Sequence, residues 1–334
     1  MYQVSVLVPV FGVEQYIERC ARSLFEQTYA NLEYIFVDDC SPDNSIAILK
    51  KVLEDYPARK EQVRIIRHER NRGLSAARNT AIDAAQGLFI THVDSDDYLD
   101  RDAIRLLVDK QVETGADIVT GNFNAVFPSK VKKGYEPSYE DQHEMLLKTL
   151  SSHSGTHAVW RRLINASLYR NYHIRPKEGV DNLEDWQQLA VLVYYADKIA
   201  RIDDHIYYYD CTNNRSYMSE TSNLPSIELW DQSIESVRIL EDFFSDKGQE
   251  YNRLARRLVT YMLKSRMCLA ARHKKRAYFD KMKRKIVTNY ADCYDEIGWN
   301  NPFVRLFMCN YLLNGFCRRV YIYLMKTFAS LGGK

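Results

Sequence analysis

Three carboxylates directly follow an apolar stretch of this chain. The stretch is Gly87–Val93, and the residues after it read Asp94-Ser95-Asp96-Asp97. The sequence offers no obvious cation to neutralise these acids, so we expect a bound cation to do so. Hard oxygen ligands favour Mg²⁺ or Mn²⁺, and such an ion is commonly shared with a diphosphate. The alternative is an acidic loop that caps the helix beginning near Arg101, since Asp and Ser are good N-caps.

A second acidic pair follows another apolar run. Leu32–Val37 is typical of a buried strand, and it is followed by Asp38-Asp39. Because the carboxyl ends of parallel strands meet at one edge of a sheet, both acidic strings are expected at the same crevice. Ser41 or Asp43 can cap the next helix, which explains part of the string but not the paired Asp.

Apolar runs alternate with helical patterns along the first two thirds of the chain, which predicts an α/β fold with a mostly parallel sheet. Expected strands are Val4–Val10, Leu32–Val37, Val63–His68, Leu88–Val93 and Ala116–Val119, and expected helices include Leu74–Ala85 and Ala103–Thr114. Residues 128–142 read as a polar loop. Beyond residue 222 the periodicity is helical, with a first helix from Ile227 to near Gly248. We therefore predict domains at 1–220 and 221–334.

The net charge of +2 conceals two electrostatic halves. Residues 251–334 contain 18 Lys and Arg against 4 Asp and Glu, whereas residues 1–250 contain 28 against 40. The basic half includes Arg272–Arg276 and Lys281–Lys285, runs that first suggest nucleic acid. It lacks zinc-finger spacing and an RNP-like aromatic motif, and the asymmetry suits a surface facing anionic lipid equally well. We predict no nucleic-acid partner.

Seven cysteines form no CxxC pair, and their odd number argues against a closed disulfide framework. The first residues lead into a strand without a basic region before an apolar one, so we expect no secretory signal. A reducing cytoplasm fits best, with the inner face of the plasma membrane as a further possibility.

Several short strings, in this order and spacing, resemble the inverting family 2 glycosyltransferases of the GT-A fold. The strings are Val6–Phe11, Gln27–Tyr29, Val37–Ser41, Asn71–Asn79, Asp94–Asp97 and Glu184–Trp186. Each is weak alone, but the ordered set is specific, and it extends from residue 1 to about 216. The resemblance implies a Rossmann-like GT-A sheet flanked by helices, with a helical carboxyl-terminal module added.

The resemblance also implies a donor site. Asp96 becomes the metal ligand, with Asp94 sharing the metal or contacting the ribose, and Asp39 reads the base of a UDP-sugar. The other residues expected at the nucleotide are Pro9, Val10, Phe11, Glu14, Gly73, Arg78, Ser95 and Arg215. Alternatives remain open: Asp39 as a helix-capping partner, Phe11 as a core residue, and Arg78 as a structural partner of an acidic loop. Asp210 stands where the family is often basic.

The family places its general base at the Asp of the Glu184–Trp186 motif, so Asp185 is the candidate base. Two acids in a first helical turn are otherwise explained by the helix dipole. Trp160 and Trp186 either stack on acceptor sugars or are buried aromatics.

The function implied is a metal-dependent, inverting transfer of a sugar from a nucleotide-diphosphate sugar to a saccharide or lipid-linked saccharide, in cell-surface polysaccharide synthesis. Mn²⁺ or Mg²⁺ is the expected cofactor. The alternative is a catalytically silent nucleotide-sugar-binding or scaffolding subunit of an assembly complex.

The last segment, Phe303–Leu331, is apolar but broken by Arg305, Arg318, Arg319 and Lys326. It is too interrupted for the ~20 residues that span a bilayer. A basic amphipathic segment suits the membrane interface, whereas packing on the core or a homodimer contact is the alternative.

Overall fold

The computed structural model describes residues 3–151, 157–213 and 226–295, with the isolated positions 298, 300 and 302. The chain forms two compact units that divide between residues 219 and 220, apart from residues 150–152, which group with the second. Each unit has its own buried core.

Four parallel strands form one half of the sheet in the first unit. They are β1 (Val4–Val10), β2 (Leu32–Asp38), β3 (Val63–Arg67) and β4 (Phe89–His92), in the order β3-β2-β1-β4. Every residue of β1 and β2 is buried. Strands covered on both faces read as continuous apolar runs, which is why the sequence locates them well.

Helices connect these strands and cover the sheet. They are α1 (Ile17–Phe25), α2 (Ser45–Glu54), α3 (Leu74–Ala84) and α4 (Ala103–Thr114), with a 3₁₀ turn at Pro57–Gln62. Ile17, Cys20 and Leu24 form the buried stripe of α1 at helical spacing. The acids that follow β2 and β4 therefore reach the same edge of the sheet.

The other half of the sheet is mixed. It contains β5 (Tyr98–Leu99), β6 (Ile118–Phe127), β7 (Lys130–Gly134), β8 (Arg162–Asn165) and β9 (Ile199–Asp210). β8 runs antiparallel between β4 and β6, β9 is parallel to β6, and the short β5 is antiparallel to β9. Three more helices belong here: α5 (Gln142–Leu150), α6 (Ala166–Asn171) and α7 (Glu184–Tyr195). The predicted α/β class is confirmed.

The prediction of a polar loop over residues 128–142 was wrong. Residues 130–134 form β7, which pairs antiparallel with the end of β6, and α5 begins at Gln142. The lysines of β7 stay exposed on this hairpin, as is common for strands at a sheet margin. Such a strand has little apolar signal in its sequence.

The second unit is helical in the residues described. Its helices are α8 (Ile227–Phe244), α9 (Gln249–Arg272) and α10 (Arg276–Asn289). Trp230 is buried, with its ring 5.5 Å from that of Tyr278. Helix α8 ends four residues before the expected Gly248. The segment expected at a membrane interface, 303–331, lies outside the described residues, and no helix in the described part is long and apolar enough to cross a bilayer.

Candidate active site

Asp97 is the buried acid of the turn that follows β4, and its hydrogen bonds hold that turn in place. Its Oδ2 accepts a hydrogen bond from the Tyr207 hydroxyl at 2.7 Å, and its Oδ1 accepts one from the Asp210 main-chain N–H at 2.7 Å. The carboxyl is fully buried, and burial followed by the charge of Asp96 raises its pKa well above the usual range. Asp97 therefore fixes the turn to β9.

Asp94 and Asp96 are the two partly exposed acids of this turn, on either side of the buried Ser95. Oδ2 of Asp96 accepts a hydrogen bond from the Asn213 side-chain amide at 2.9 Å. Burial first, and then the charge of Asp94, raises the pKa of Asp96 to about 6. Burial and a neighbouring negative charge both disfavour the ionised carboxylate, and the hydrogen bond from Asn213 opposes them only in part.

Asp94 has a cation, so the expectation that no residue of the chain neutralises these acids was wrong. Nη2 of Arg78, on α3, lies 3.0 Å from Asp94 Oδ1. The same nitrogen lies 3.1 Å from Glu184 Oε1 and 3.3 Å from Asp185 Oδ1, both at the start of α7. Arg78 is 2% exposed and joins the two acidic motifs. The alternative of Arg78 as the partner of an acidic loop therefore agrees with its contacts.

Asp185 is held at the amino end of α7, after Leu183 in the left-handed region at φ 64°. Its Oδ2 accepts a hydrogen bond from the Val159 N–H at 3.4 Å. Burial raises the pKa of Asp185 and of Glu184, and the positive charge of Arg78 opposes the rise in both. The buried Glu184 and the partly exposed Asp185 therefore share one guanidinium.

Asp39 anchors the loop that precedes α3. Its Oδ1 accepts hydrogen bonds from the Arg72 N–H at 2.8 Å and contacts His68 Nδ1 at 2.6 Å, and its Oδ2 accepts one from the Gly73 N–H at 2.8 Å. Gly73 has φ 90°, and a Cβ there would lie 2.2 Å from Asp181 Oδ2. Only glycine fits that position. Asp39 does not cap α2; its carboxylate instead holds the two N–H groups just before α3.

A cavity of about 310 Å³ lies beside the end of β1. Its lining includes Gly12, Glu14, Gln15, Pro42, Asp43 and Asn213. The Glu14 N–H donates to Asp43 Oδ2 at 2.9 Å, and Glu14 Oε2 accepts from the Asn44 N–H at 3.2 Å. Asp43 Oδ1 also accepts from the first N–H of α2 at 3.1 Å, which agrees with its capping role.

Pro9 and Val10 are buried at the end of β1, where Val10 O accepts from the Asp39 N–H at 3.0 Å. Phe11, the next residue, is 48% exposed, so its interpretation as a core residue was wrong. Arg215, the expected phosphate contact, lies outside the described residues.

The two tryptophans differ in exposure. Trp186 is 4% exposed, donates from Nε1 to Thr149 O at 2.6 Å and stacks on His157. Trp160 is partly exposed and stacks on Tyr207 and Tyr209, at centroid distances of 4.6 and 5.6 Å. Trp160 is therefore the more exposed of the two, although Phe123 and Arg161 also contact its ring.

Comparison with known proteins gives this arrangement a family. Residues 5–173, just over half of the chain, match the sequence profile of "Glycosyl transferase family 2". The chain belongs to glycosyl transferase family 2. The predicted family is confirmed, and the matched region includes β1, the loop at Asp39, α3 and the acids after β4.

One relative of this family 2 chain is EpsJ of Bacillus subtilis, an uncharacterized glycosyltransferase. The two are 31% identical over 233 residues, which cover 67% of this chain and 65% of EpsJ. The match thus spans slightly less than two thirds of that relative.

Two solved structures have a similar fold. TarS residues 1–349 from S. aureus, in complex with UDP-GlcNAc, has a TM-score of 0.57 and 21% identity, over 87% of this chain and 92% of TarS 1–349. The mannosyltransferase PcManGT from Pyrobaculum calidifontis, in complex with GDP-Man and Mn²⁺, has a TM-score of 0.55 and 14% identity, over 96% and 88% of the two chains. At these identities the likeness supports the GT-A fold alone.

Asp94 and Asp96 fit a divalent cation in their chemistry. Both offer carboxylate oxygens, which are the ligands that hard divalent cations prefer, and both are partly exposed. The part of the chain described has no group of three or more His, Cys, Asp or Glu side chains arranged around one ion. A cation here would complete its shell with donor and water oxygens, the usual arrangement for Mg²⁺.

Sequence reasoning missed three contacts at this site. Glu184 was read only as part of a motif, yet it pairs with Arg78. Arg19 and Asn213 contact Asp96 through its main-chain oxygen and its carboxylate. Nothing in the sequence signals the contacts of Arg19 or Asn213, because their partners are distant in the chain.

Proposed function

We propose that this protein transfers a sugar from a nucleotide-diphosphate sugar to a saccharide hydroxyl, with inversion at the anomeric carbon. The observation that carries the proposal is the single guanidinium of Arg78, whose Nη2 lies 3.0 Å from Asp94 and 3.3 Å from Asp185. It brings the acidic turn after β4 and the start of α7 to one crevice. The groups that would stabilise the leaving diphosphate and the group that would accept the proton can then reach the same bound sugar.

Asp185 is the proposed general base. In a single displacement the acceptor oxygen attacks C1 of the donor sugar, the bond from C1 to the phosphate oxygen breaks, and the acceptor proton passes to the carboxylate. The nucleoside diphosphate leaves with the bonding electron pair. Burial raises the pKa of Asp185 toward neutrality, which makes it a better proton acceptor than an ordinary Asp. Arg78 and the Val159 N–H would keep the carboxylate oriented.

Asp96 and Asp94 are the proposed ligands of Mn²⁺ or Mg²⁺. The ion would supply charge neutralisation of the departing diphosphate. Asp97 would hold the turn in place through Tyr207 and Asp210. The metal in the PcManGT complex supports the proposal by analogy.

A UDP-sugar is the proposed donor. Asp39 has one carboxylate oxygen with spare accepting capacity, as required for the imide N–H of uracil. Phe11 is exposed and directly precedes Gly12, which lines the cavity together with Glu14, and a base could stack on its ring. Gly73 and Ser95 would bring backbone close to the donor. The UDP-GlcNAc complex of TarS supports the choice of uridine by analogy.

The proposed acceptor is a saccharide or lipid-linked saccharide of a cell-surface polysaccharide, used at the cytoplasmic face of the membrane. Trp160, with its partly exposed ring over Tyr207 and Tyr209, suits stacking on an acceptor sugar. The excess of Lys and Arg after residue 250 would attract anionic headgroups. We further propose two domains, 1–220 and 221–334. A homodimer contact through the second is the competing role for its helices.

The test is release of nucleoside diphosphate from a panel of UDP- and GDP-sugars, with Mn²⁺ and with chelator, in the presence of saccharide acceptors. Metal-dependent UDP release, lost in Asp185→Asn, is the expected result. Binding of UDP with no turnover on any acceptor would instead favour a silent, donor-binding subunit.

A further inference from the structure

Arg19, on α1, connects three elements beside the acidic turn. Its Nη2 donates to the main-chain oxygen of Asp96 at 2.9 Å and to Oδ2 of Asp210 at 2.5 Å. Its guanidinium carbon lies 4.3 Å from the ring centroid of Tyr98, within cation–π range. One side chain therefore joins α1, the backbone of Asp96 and the end of β9.

Asp210 is fixed on its other side as well. Its N–H donates to Asp97 Oδ1 at 2.7 Å, and its Oδ1 accepts from the Thr212 N–H at 2.7 Å. The residue that follows, Asn213, donates to Asp96 Oδ2 at 2.9 Å. The turn that Asp210 organises thus delivers an amide to the carboxylate of Asp96.

The stacked rings of Tyr98 and Tyr208 close the same region. Their centroids lie 4.5 Å apart and their planes differ by 6°. These residues are opposite each other in the antiparallel pair of β5 and β9. The Arg19 guanidinium on Tyr98 therefore packs against the strand pair that begins one residue after Asp97.

We propose that Arg19 and Asp210 form a clamp that positions Asp96 for a divalent cation, acting through the Asp96 main-chain oxygen and through Asn213. Neither residue is a ligand or a catalytic group in this role. The inference rests on the proposed function, because that function requires the cation at Asp96. Groups that orient a metal ligand typically change metal affinity by ~10–100-fold when they are removed.

For Arg19, a purely electrostatic effect and the clamp predict opposite changes in Mn²⁺ affinity. Removing the positive charge of Arg19 from the neighbourhood of a cation site would tighten cation binding if only Coulomb forces acted. Removing the negative charge of Asp210 would weaken it. A clamp predicts weaker binding in both variants, since each removal frees the same turn.

The experiment measures Mn²⁺ dissociation constants for the full chain, from the electron paramagnetic resonance signal of free Mn²⁺, with and without UDP. Arg19→Ala and Asp210→Asn should each weaken Mn²⁺ binding by about tenfold, and the double variant should be no weaker than the single ones. Arg19→Lys, which keeps a donor but not the planar fork, should fall between Arg19→Ala and the parent.

Arg22→Ala is the matched control. Arg22 lies one turn further on α1, is exposed to a similar degree, and pairs with Glu18 and Asp55 away from the turn. It should leave Mn²⁺ affinity unchanged. Unchanged or tighter Mn²⁺ binding in a folded Arg19→Ala protein would overturn the clamp, as would multiplying effects in the double variant.

The outcomes separate the clamp from the proposed function. In one outcome the parent binds Mn²⁺ and UDP, the variants bind Mn²⁺ more weakly as expected, and no sugar is transferred. The proposed function is then wrong and the clamp is supported. If the parent transfers sugar and Arg19→Ala keeps its Mn²⁺ affinity, the clamp fails alone. A parent that binds no Mn²⁺ in either condition would overturn both.

Discussion

Nη2 of Arg78 lies 3.3 Å from Oδ1 of Asp185, in an environment where Arg78 is 2% exposed. The two residues belong to α3 and α7, which are far apart in the sequence. Their contact, together with the one from Arg78 to Asp94, connects the acids on both sides of the crevice. Removing Arg78 should therefore affect both the stability of the folded protein and the charge state of these acids, because all of them pair with the same guanidinium.

Arg78→Met should destabilise the protein by about 3–5 kcal/mol at pH 8, because it leaves the buried Glu184 and the partly buried Asp94 and Asp185 without their cation. The acids can escape the penalty by taking up protons, since burial already raises the pKa of Glu184 and Asp185. A raised folded-state pKa means that stability is lost as pH rises, so the deficit should shrink toward pH 5. Urea unfolding of parent and variant at both pH values measures this.

Arg175→Met is the control for that experiment. Arg175 pairs with the exposed Asp83 and donates to Tyr169 O and Ile174 O, so its removal should cost less than that of Arg78 and show no such pH trend, because it leaves no buried acid without a cation. A deficit of Arg78→Met that is the same at pH 5 and pH 8 would contradict the assignment.

Asp185→Asn should lower the turnover number by about 10²-fold or more while UDP affinity is kept, because an amide cannot accept the acceptor proton. Steady-state kinetics and UDP binding by calorimetry give the two quantities. Glu184→Gln is the matched neighbour, since it sits on the same guanidinium and should retain most of the turnover. The reverse result would move the base to Glu184.

Asp96→Asn should remove the rise in melting temperature that Mn²⁺ and UDP together give the parent, because an amide oxygen is a poorer ligand for a hard cation. Differential scanning fluorimetry measures it. Asp102→Asn, at a partly exposed acid paired with Arg105, should keep the full rise. Full stabilisation of Asp96→Asn by Mn²⁺ and UDP would exclude Asp96 as a ligand.

Without metal, the same Asp96→Asn substitution should stabilise the protein near neutral pH. The pKa of Asp96 is raised to about 6, so the folded state holds a proton that the unfolded state releases near pH 4. Its contribution is present below pH 4 and lost as pH rises through 6. The variant should therefore gain on the order of 1 kcal/mol over the parent at pH 7.5, and nothing at pH 4. Chemical unfolding of parent and variant in the presence of chelator, at pH 4 and pH 7.5, measures the two differences in the free energy of unfolding.

Vesicle flotation tests the proposed membrane contact. The chain should float with anionic vesicles at low salt and not with neutral ones, and added salt should release it, because the attraction is carried by Lys and Arg beyond residue 250. Truncation after about Gly298 removes the apolar segment Phe303–Leu331 and should abolish flotation, because the Lys and Arg that remain have no apolar face to insert into the interface. A dimer in solution that ignores both vesicle types would favour the homodimer role instead.

The sequence alone was sufficient for β1, β2, α3 and α4. Buried parallel strands and amphipathic helices carry their signal in a single continuous run of residues. The same holds for the acids after β2 and β4, because a parallel sheet brings its carboxyl ends to one edge. The hairpin strand β7 was not predicted, because its exposed lysines give it the composition of a loop.

Which charges meet was decided by the tertiary structure. The sequence supplied Asp94, Asp96 and Asp185 as candidate acids, but it could not show that Arg78 joins Asp94 to Asp185, or that Arg19 reaches Asp96 and Asp210. Hydrogen bonds and ion pairs act over about 3 Å, whatever the separation along the chain. Local patterns therefore determined the strands, the helices and the family, whereas the partners of each acid depended on how those elements pack.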